Sequence, residues 1–217
     1  MPRIISGKEA AAMISSGDRI MVAGFLVSGC PEYLMDCLYE RDIDNLHLIA
    51  ISTDYDDRGI GRLISKPHVK TLQVSHIGTN RTTQTRYKAG EIDIEFVPQG
   101  ILMERIRAAG AGLGGIFSPV GVGTVIAEGK QTLEENGRTY ILEKPIHGKY
   151  SLIRAKKADK LGNLVYNKMA RNSNTVMAMG ADITIVEVDE IVEVGELSPE
   201  EVVTPGIFVD YIVKKGE

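Results

Sequence analysis

Apolar residues fall into short runs of strand length at 19–23, 46–51, 69–75 and 92–97, with stretches of helical spacing between them at 32–39 and 102–109. Strands alternating with helices predict βαβ units and a mostly parallel sheet. The run Leu46-His47-Leu48-Ile49-Ala50-Ile51 is nearly continuous in apolar character, as expected of a strand covered on both faces. Ser6-Gly7-Lys8-Glu9 has the pattern of a capping box and predicts a short helix over 9–14 that stops at Gly17. The last third changes character. A strand at 149–155, a turn at 159–163 and a return strand at 164–166 precede further strands at 182–188 and 207–213. Asn136-Gly137 is a hairpin signal with a strand behind it at 138–142. Gly121, Gly123 and Gly129 loosen the middle of the chain into an excursion outside the main sheet. No repeat or low-complexity linker interrupts this order, so one domain over 1–217 is expected: α/β, with an open, mostly parallel sheet flanked by helices.

Composition narrows the class. The 217 residues are 43% apolar and 25% charged, as in an ordinary globular domain with a core that needs no staples. Net charge is −4 with scattered Lys and Arg, so no basic stripe suggests nucleic acid. Cys30 and Cys37, the only cysteines, read as reduced cytosolic thiols rather than a disulfide framework. Neither a CxxC nor a His/Cys metal cluster is present, and no metal is expected. No window reaches the roughly 18 apolar residues of a membrane span. A soluble, cytoplasmic protein is the expectation.

Three glycine-marked stretches could carry chemistry. In "MVAGFLVSGCPEYLMDCL" (21–38), Gly24 and Gly29 bracket a loop at the carboxyl end of the first predicted strand, the edge where open α/β sheets bind ligands. Pro31 and Glu32 suit a helix N-terminus whose free N–H groups can face an anion or a carbonyl oxygen. A plain packing turn accounts for the same glycines. Phe96-Val97-Pro98-Gln99-Gly100 closes a strand and opens a helix; the neutral Gln99 amide there can donate to a developing oxyanion, or simply cap a neighbouring loop. The small-residue run at 109–115 lacks the Lys-Ser/Thr ending of a P-loop and follows a helix, so close packing or a mobile loop fits it better than a phosphate cradle.

Acids and bases are few. His47 alternates into an apolar strand as a core residue, His68 and His147 sit beside prolines in surface turns, and His76 alone stands at a strand end near a possible site. Glu134 and Glu135 belong to the predicted hairpin and read as solvated. No Ser-His-Asp or Cys-His arrangement can be argued.

Taken in order, these segments resemble the α chain of family I coenzyme A transferases of the acetate/acetoacetate and 3-oxoacid type. The resemblance runs from Gly17-Asp18 and 21–38 through "GIGRLI" (59–64), "SHIGTN" (75–80), "PQGILMERIRAAGAGLGG" (98–115) and "GVGTVIAEGK" (121–130), to "LIRAKKADKLGNLVY" (152–166), "ARNSN" (170–174) and "TPGIFVDYIV" (204–213). It implies a ping-pong transfer of coenzyme A from an acyl-CoA to a short-chain carboxylate, through a glutamyl-CoA thioester whose glutamate lies on a β subunit. Coenzyme A is then a substrate, and no cofactor is implied. The resemblance assigns Gln99 to the oxyanion hole, and Gly24, Phe25, Gly29, Ser52, Thr53 and Gly100 to the acyl and coenzyme A pocket. It also implies an α2β2 assembly. Glu134-Glu135-Asn136-Gly137 looks like the family's nucleophile context, but it lies where α subunits carry a variable hairpin and is not assigned that role. Departures from the family pattern at Ala23, Ile101 and Ala109 reshape the acyl pocket and leave the acyl group open. Two other readings stand beside this one: a sugar-phosphate isomerase or deaminase of the same fold, and an acyl-CoA-binding module without turnover.

Overall fold

The computed structural model describes residues 1–217. In chain order, the first half contains β1 (Arg3–Ile4), α1 (Gly7–Ala12), β2 (Arg19–Val22), α2 (Glu32–Tyr39), β3 (Leu46–Ile49), α3 (Ile60–Ser65), β4 (Val69–Val74), α4 (Arg81–Lys88), β5 (Asp93–Phe96) and α5 (Gln99–Gly110). Then come β6 (Ile116–Ser118), β7 (Thr132–Glu135) and β8 (Arg138–Glu143), which form a separate antiparallel sheet in the order β6-β8-β7. The chain returns to the main sheet with β9 (Gly148–Asp159), β10 (Leu164–Val165), α6 (Asn174–Met177), β11 (Ala181–Val192) and β12 (Tyr211–Lys214).

The main sheet has the order β1-β12-β11-β9-β2-β3-β4-β5, with β10 attached to β9. Every neighbouring pair along that path is parallel and only β10 is antiparallel. Strands β2 to β5 therefore all end on one edge, and the loops after them meet there. From β2 the chain builds outward through β3, β4 and β5, while β9 joins the other flank of β2 through Ile20↔Tyr150 and Val22↔Leu152. The order thus reverses beside β2, the place where a parallel α/β sheet opens a crevice.

Around its centre the sheet is buried on both faces, and alternation within one strand shows why. Ile20 and Val22 point into a core shared with Ala10, Leu34, Met35, Leu38, Leu48 and Leu72. Met21 and Ala23 point the other way, into a core with Leu102, Ile106, Ile153, Met177 and Val186. A side-chain period of two on a strand covered by helices on each side produces this split. The capping box at α1 forms: the Ser6 hydroxyl accepts from the Glu9 amide at 3.2 Å, and the Glu9 carboxylate accepts from the Ser6 amide at 2.8 Å. The Asn136-Gly137 hairpin also forms, with φ of +51° and +72° between β7 and β8.

Several boundaries and placements differ from expectation. Helix α1 spans 7–12 rather than 9–14. Helix α4 carries no apolar stripe that predicts it: α4 (Arg81–Lys88) buries only Thr83 and starts because the Asn80 side chain accepts from the Thr83 amide at 2.7 Å. The strand expected at 207–213 begins only at Tyr211, because Pro205 opens a single 3-10 turn over Gly206–Phe208. His68 is buried rather than in a surface turn. His47 is half-buried on an open part of the sheet face instead of in the core, with Nδ1 bonded to the Thr71 hydroxyl at 2.8 Å. His147 and the Glu134–Glu135 pair are exposed, as read from the sequence.

Candidate active site

Four strand ends supply the site. After β2 comes the loop 24–29, after β3 the segment 52–59, after β4 the run Ser75-His76, and after β5 Val97-Pro98 leading into α5. Phe25, His76, Val97, Pro98 and Gln99 line a cleft of about 440 Å³ between them, and Ile126 closes it from the excursion before the small sheet. Gln99 is the first residue of α5 and is exposed; no side chain caps that helix, so its first N–H groups are open beside the amide. Ser75 also lines the cleft, but its hydroxyl donates to the Ile51 carbonyl at 2.8 Å. None of the residues lining the cleft is a carboxylate or a cysteine.

The β2 loop is a two-residue turn under strain. Phe25 and Ser28 exchange both backbone hydrogen bonds at 3.0 Å, which forces φ to +48° at Leu26 and +72° at Val27. Positive φ at a β-branched residue is an outlier, and it persists only where the surroundings over-determine it. They do so here from two sides. The Ser52 hydroxyl accepts from the Leu26 amide at 3.3 Å, and the Asp54 carboxylate accepts from the Val27 amide at 3.0 Å. Ser52 itself donates to Asp54 at 3.1 Å, and the other Asp54 oxygen takes the Ile60 amide at the start of α3. Burial raises the pKa of the Asp54 carboxyl against the pull of these bonds. From the far side, the Ser173 hydroxyl accepts from the Gly24 amide at 2.9 Å. Asn172 and Asn174 donate to the carbonyls of Ser28 and Gly29 at 2.8 and 3.0 Å.

The residues singled out in the sequence thus separate. Phe25 and Gln99 share the cleft with His76, and Gly100 stands next to Gln99 with open space where a side chain would be. Ser52 and Thr53 are buried behind it: Ser52 braces the turn, and the Thr53 carbonyl accepts from Asn80 at 3.1 Å. Gly29 is buried with φ of +78°, and a Cβ there would lie 2.5 Å from the Ala170 carbonyl oxygen. Gly24 has φ of +115°, and a Cβ there would lie 2.8 Å from the Cys30 nitrogen. These two glycines serve close packing inside the chain. Nor does the start of α2 face an anion from outside: Glu187, fully buried on β11, accepts from the Leu34 amide at 3.1 Å. Burial pushes the Glu187 carboxyl up to about 7, with Arg154 at 3.6 Å pulling the other way. Asp54, Ser173 and Glu187 had no local signal, because each acts on a segment distant in sequence.

A larger hollow of about 700 Å³ lies over the faces of β2 to β5, away from the strand ends. Its polar groups are engaged with one another, Arg19 with Gln73, Gln73 with Glu95, and Glu95 with Arg105 at 2.9 Å. The cleft at the strand edge, with its unengaged amide and open helix start, is the better candidate for chemistry.

This architecture is that of the coenzyme A transferases. A solved acyl-CoA transferase apoenzyme from Escherichia coli superposes with a TM-score of 0.88 at 24% identity, covering 98% of this chain and 47% of that one, so this chain spans about half of that protein. The alpha subunit of an acetate CoA-transferase from Escherichia coli is 47% identical over 99% of this chain and 98% of its own length. The alpha subunit of an acetoacetyl-CoA:acetate/butyrate CoA transferase from Clostridium acetobutylicum is 40% identical over 98% of this chain and 98% of its own. The family described as Coenzyme A transferase matches residues 4–215, and the chain belongs to it.

Proposed function

We propose that this chain is the α subunit of a short-chain acyl-CoA:carboxylate coenzyme A transferase of the acetate, butyrate or acetoacetate type, complete only with a β subunit, in an α2β2 assembly. The observation that carries the reading is the pairing of an open donor with a missing nucleophile: Gln99 and the uncapped start of α5 stand at the strand-edge cleft, and no carboxylate lines it. In the reading, a β-subunit glutamate attacks the thioester carbonyl and coenzyme A leaves as thiolate, giving an acyl-glutamyl anhydride. The thiolate then attacks the glutamyl carbonyl, the first carboxylate departs, and a glutamyl-CoA thioester remains. An acceptor carboxylate reverses the sequence. At each attack negative charge gathers on one oxygen, where a preorganised neutral donor lowers the barrier. The Gln99 amide is that donor, with Gly100 leaving space beside it and Phe25 forming an apolar wall for the acyl chain. The glycine loop and its braces, Gly24, Gly29, Ser52 and Thr53, hold that wall in place.

The names of the relatives support acetate, butyrate and acetoacetyl groups as acceptors or donors. A sugar-phosphate isomerase or deaminase would need an acid–base pair in the cleft, whose only titratable side chain is His76. The test is to co-express the chain with a β subunit, then to follow exchange of coenzyme A between acetyl-CoA and acetoacetate or butyrate. The complex is expected to turn over and either chain alone is not. Tight binding of acyl-CoA by the complex without turnover would replace this reading with that of a binding module.

A further inference from the structure

His76 is the cleft residue to which the proposed function gives no work. Its Nδ1 is shut off from solvent and has no hydrogen-bond partner. A proton on Nδ1 would be a buried donor without an acceptor, which is costlier than a buried lone pair, so the ring carries its hydrogen on Nε2. Nε2 lies on the open side of the ring and no protein group engages it. It faces Gly78, where a Cβ would come within 2.8 Å of it. Gly78 has no positive φ that would require glycine. What the missing side chain does is keep Nε2 uncovered. The Gln99 amide and the His76 Nε2–H are thus the two unengaged side-chain donors among the residues that line the cleft, beside the apolar surfaces of Phe25, Val97 and Ile126.

One acyl oxygen is accounted for by Gln99. We propose, resting on the function above, that His76 is a specificity-determining residue: its Nε2–H donates to a second acceptor oxygen on the acyl chain, the 3-oxo oxygen of a 3-oxoacyl group, and so selects such groups over saturated chains of the same length. A site built to hydrogen-bond a substrate oxygen discriminates against the analogue lacking it, because the donor is left unpaired once the bound acyl chain covers it.

Acetoacetyl-CoA and butyryl-CoA share a four-carbon acyl chain and differ only at carbon 3. In the α/β complex, His76→Phe is expected to lower kcat/KM for acetoacetyl-CoA by roughly 10- to 100-fold, the range for losing a buried hydrogen bond, and to leave butyryl-CoA within about threefold. His76→Asn, which keeps an N–H donor, should recover part of the loss. Gly78→Ala should shift selectivity the same way, because its Cβ would press on the ring at Nε2 and displace or cover that donor. Equal losses on both substrates, or no loss on either, overturn the proposal. A second measurement needs no turnover. Calorimetric titration of the complex with free acetoacetate and free butyrate should show a preference for acetoacetate that His76→Phe abolishes, and an unchanged preference overturns the role of His76. A complex that moves no coenzyme A contradicts the proposed function instead, so the two failures are distinct.

Discussion

At the scale of single residues, three side chains make separable predictions. If Gln99 stabilises a developing oxyanion, Gln99→Ala in the α/β complex should lower kcat by roughly 10²–10³ while acyl-CoA binding, measured by titration, stays near wild type. Asp54 acts one step behind the cleft, as a positioning residue. Asp54→Ala leaves the Val27 amide without its acceptor and should cost about 1–3 kcal/mol in chemical denaturation. It should also lower kcat more than it raises KM, because the turn that carries Phe25 is free to relax. Glu187 makes the third prediction. Its carboxyl sits at about 7 in the fold against 4.5 as an ordinary carboxyl, so between those values the folded chain holds a proton that the unfolded chain has lost. Stability from this group is complete below about pH 4.5 and falls as pH rises through 7. Glu187→Gln lacks that slope. Its advantage over wild type should be near zero at about pH 4.5 and grow to at most ~3 kcal/mol by about pH 8, read from denaturation midpoints across the range. Arg154 keeps Asp189 as a partner at 2.8 Å in that variant, so no orphan cation confuses the result.

Secondary-structure elements show what the chain's pattern discloses and what it conceals. Strands β2 and β3 were legible because each carries apolar residues on both faces over a few positions, β5 because Ile94 and Phe96 alternate with acidic residues, and α2 because its buried residues Leu34, Met35 and Leu38 recur at helical spacing. Helix α4 was not legible: Arg-Thr-Thr-Gln-Thr-Arg-Tyr-Lys has no apolar face, and only the Asn80 cap marks its start. The Gly24–Gly29 loop was found as a feature, but its reason was hidden. Contacts to Asp54 and to Asn174 reach across 27 and 145 positions, and such pairings leave no local trace. The strand-end position of Gln99 was legible, and the family resemblance chose the oxyanion role for it over that of a loop cap. Two glycine substitutions separate packing from the site. Gly29→Ala meets the Ala170 carbonyl and a positive φ, and should destabilise by about 1–3 kcal/mol. Gly100→Ala meets nothing within 4 Å and should leave the denaturation midpoint unchanged or slightly higher, so any loss of turnover reports crowding of the reacting group.

On the scale of the whole molecule, the parallel sheet gathers four strand ends into one edge, and the excursion before β7 reaches back to close the cleft with Ile126. Val125, beside Ile126 in the chain, is 79% exposed at that rim, and none of the cleft's own residues is a carboxylate. In the proposed function this cleft is half of an active site, and the missing carboxylate comes from the β subunit. That claim is tested most directly by trapping. The co-expressed complex is incubated with acyl-CoA, the covalent intermediate is reduced with borohydride or cleaved with hydroxylamine, and the modified residue is mapped by mass spectrometry. The expected result is one modified glutamate on the β subunit, with none on this chain; a modified glutamate here, whether Glu134, Glu135 or another, contradicts the claim.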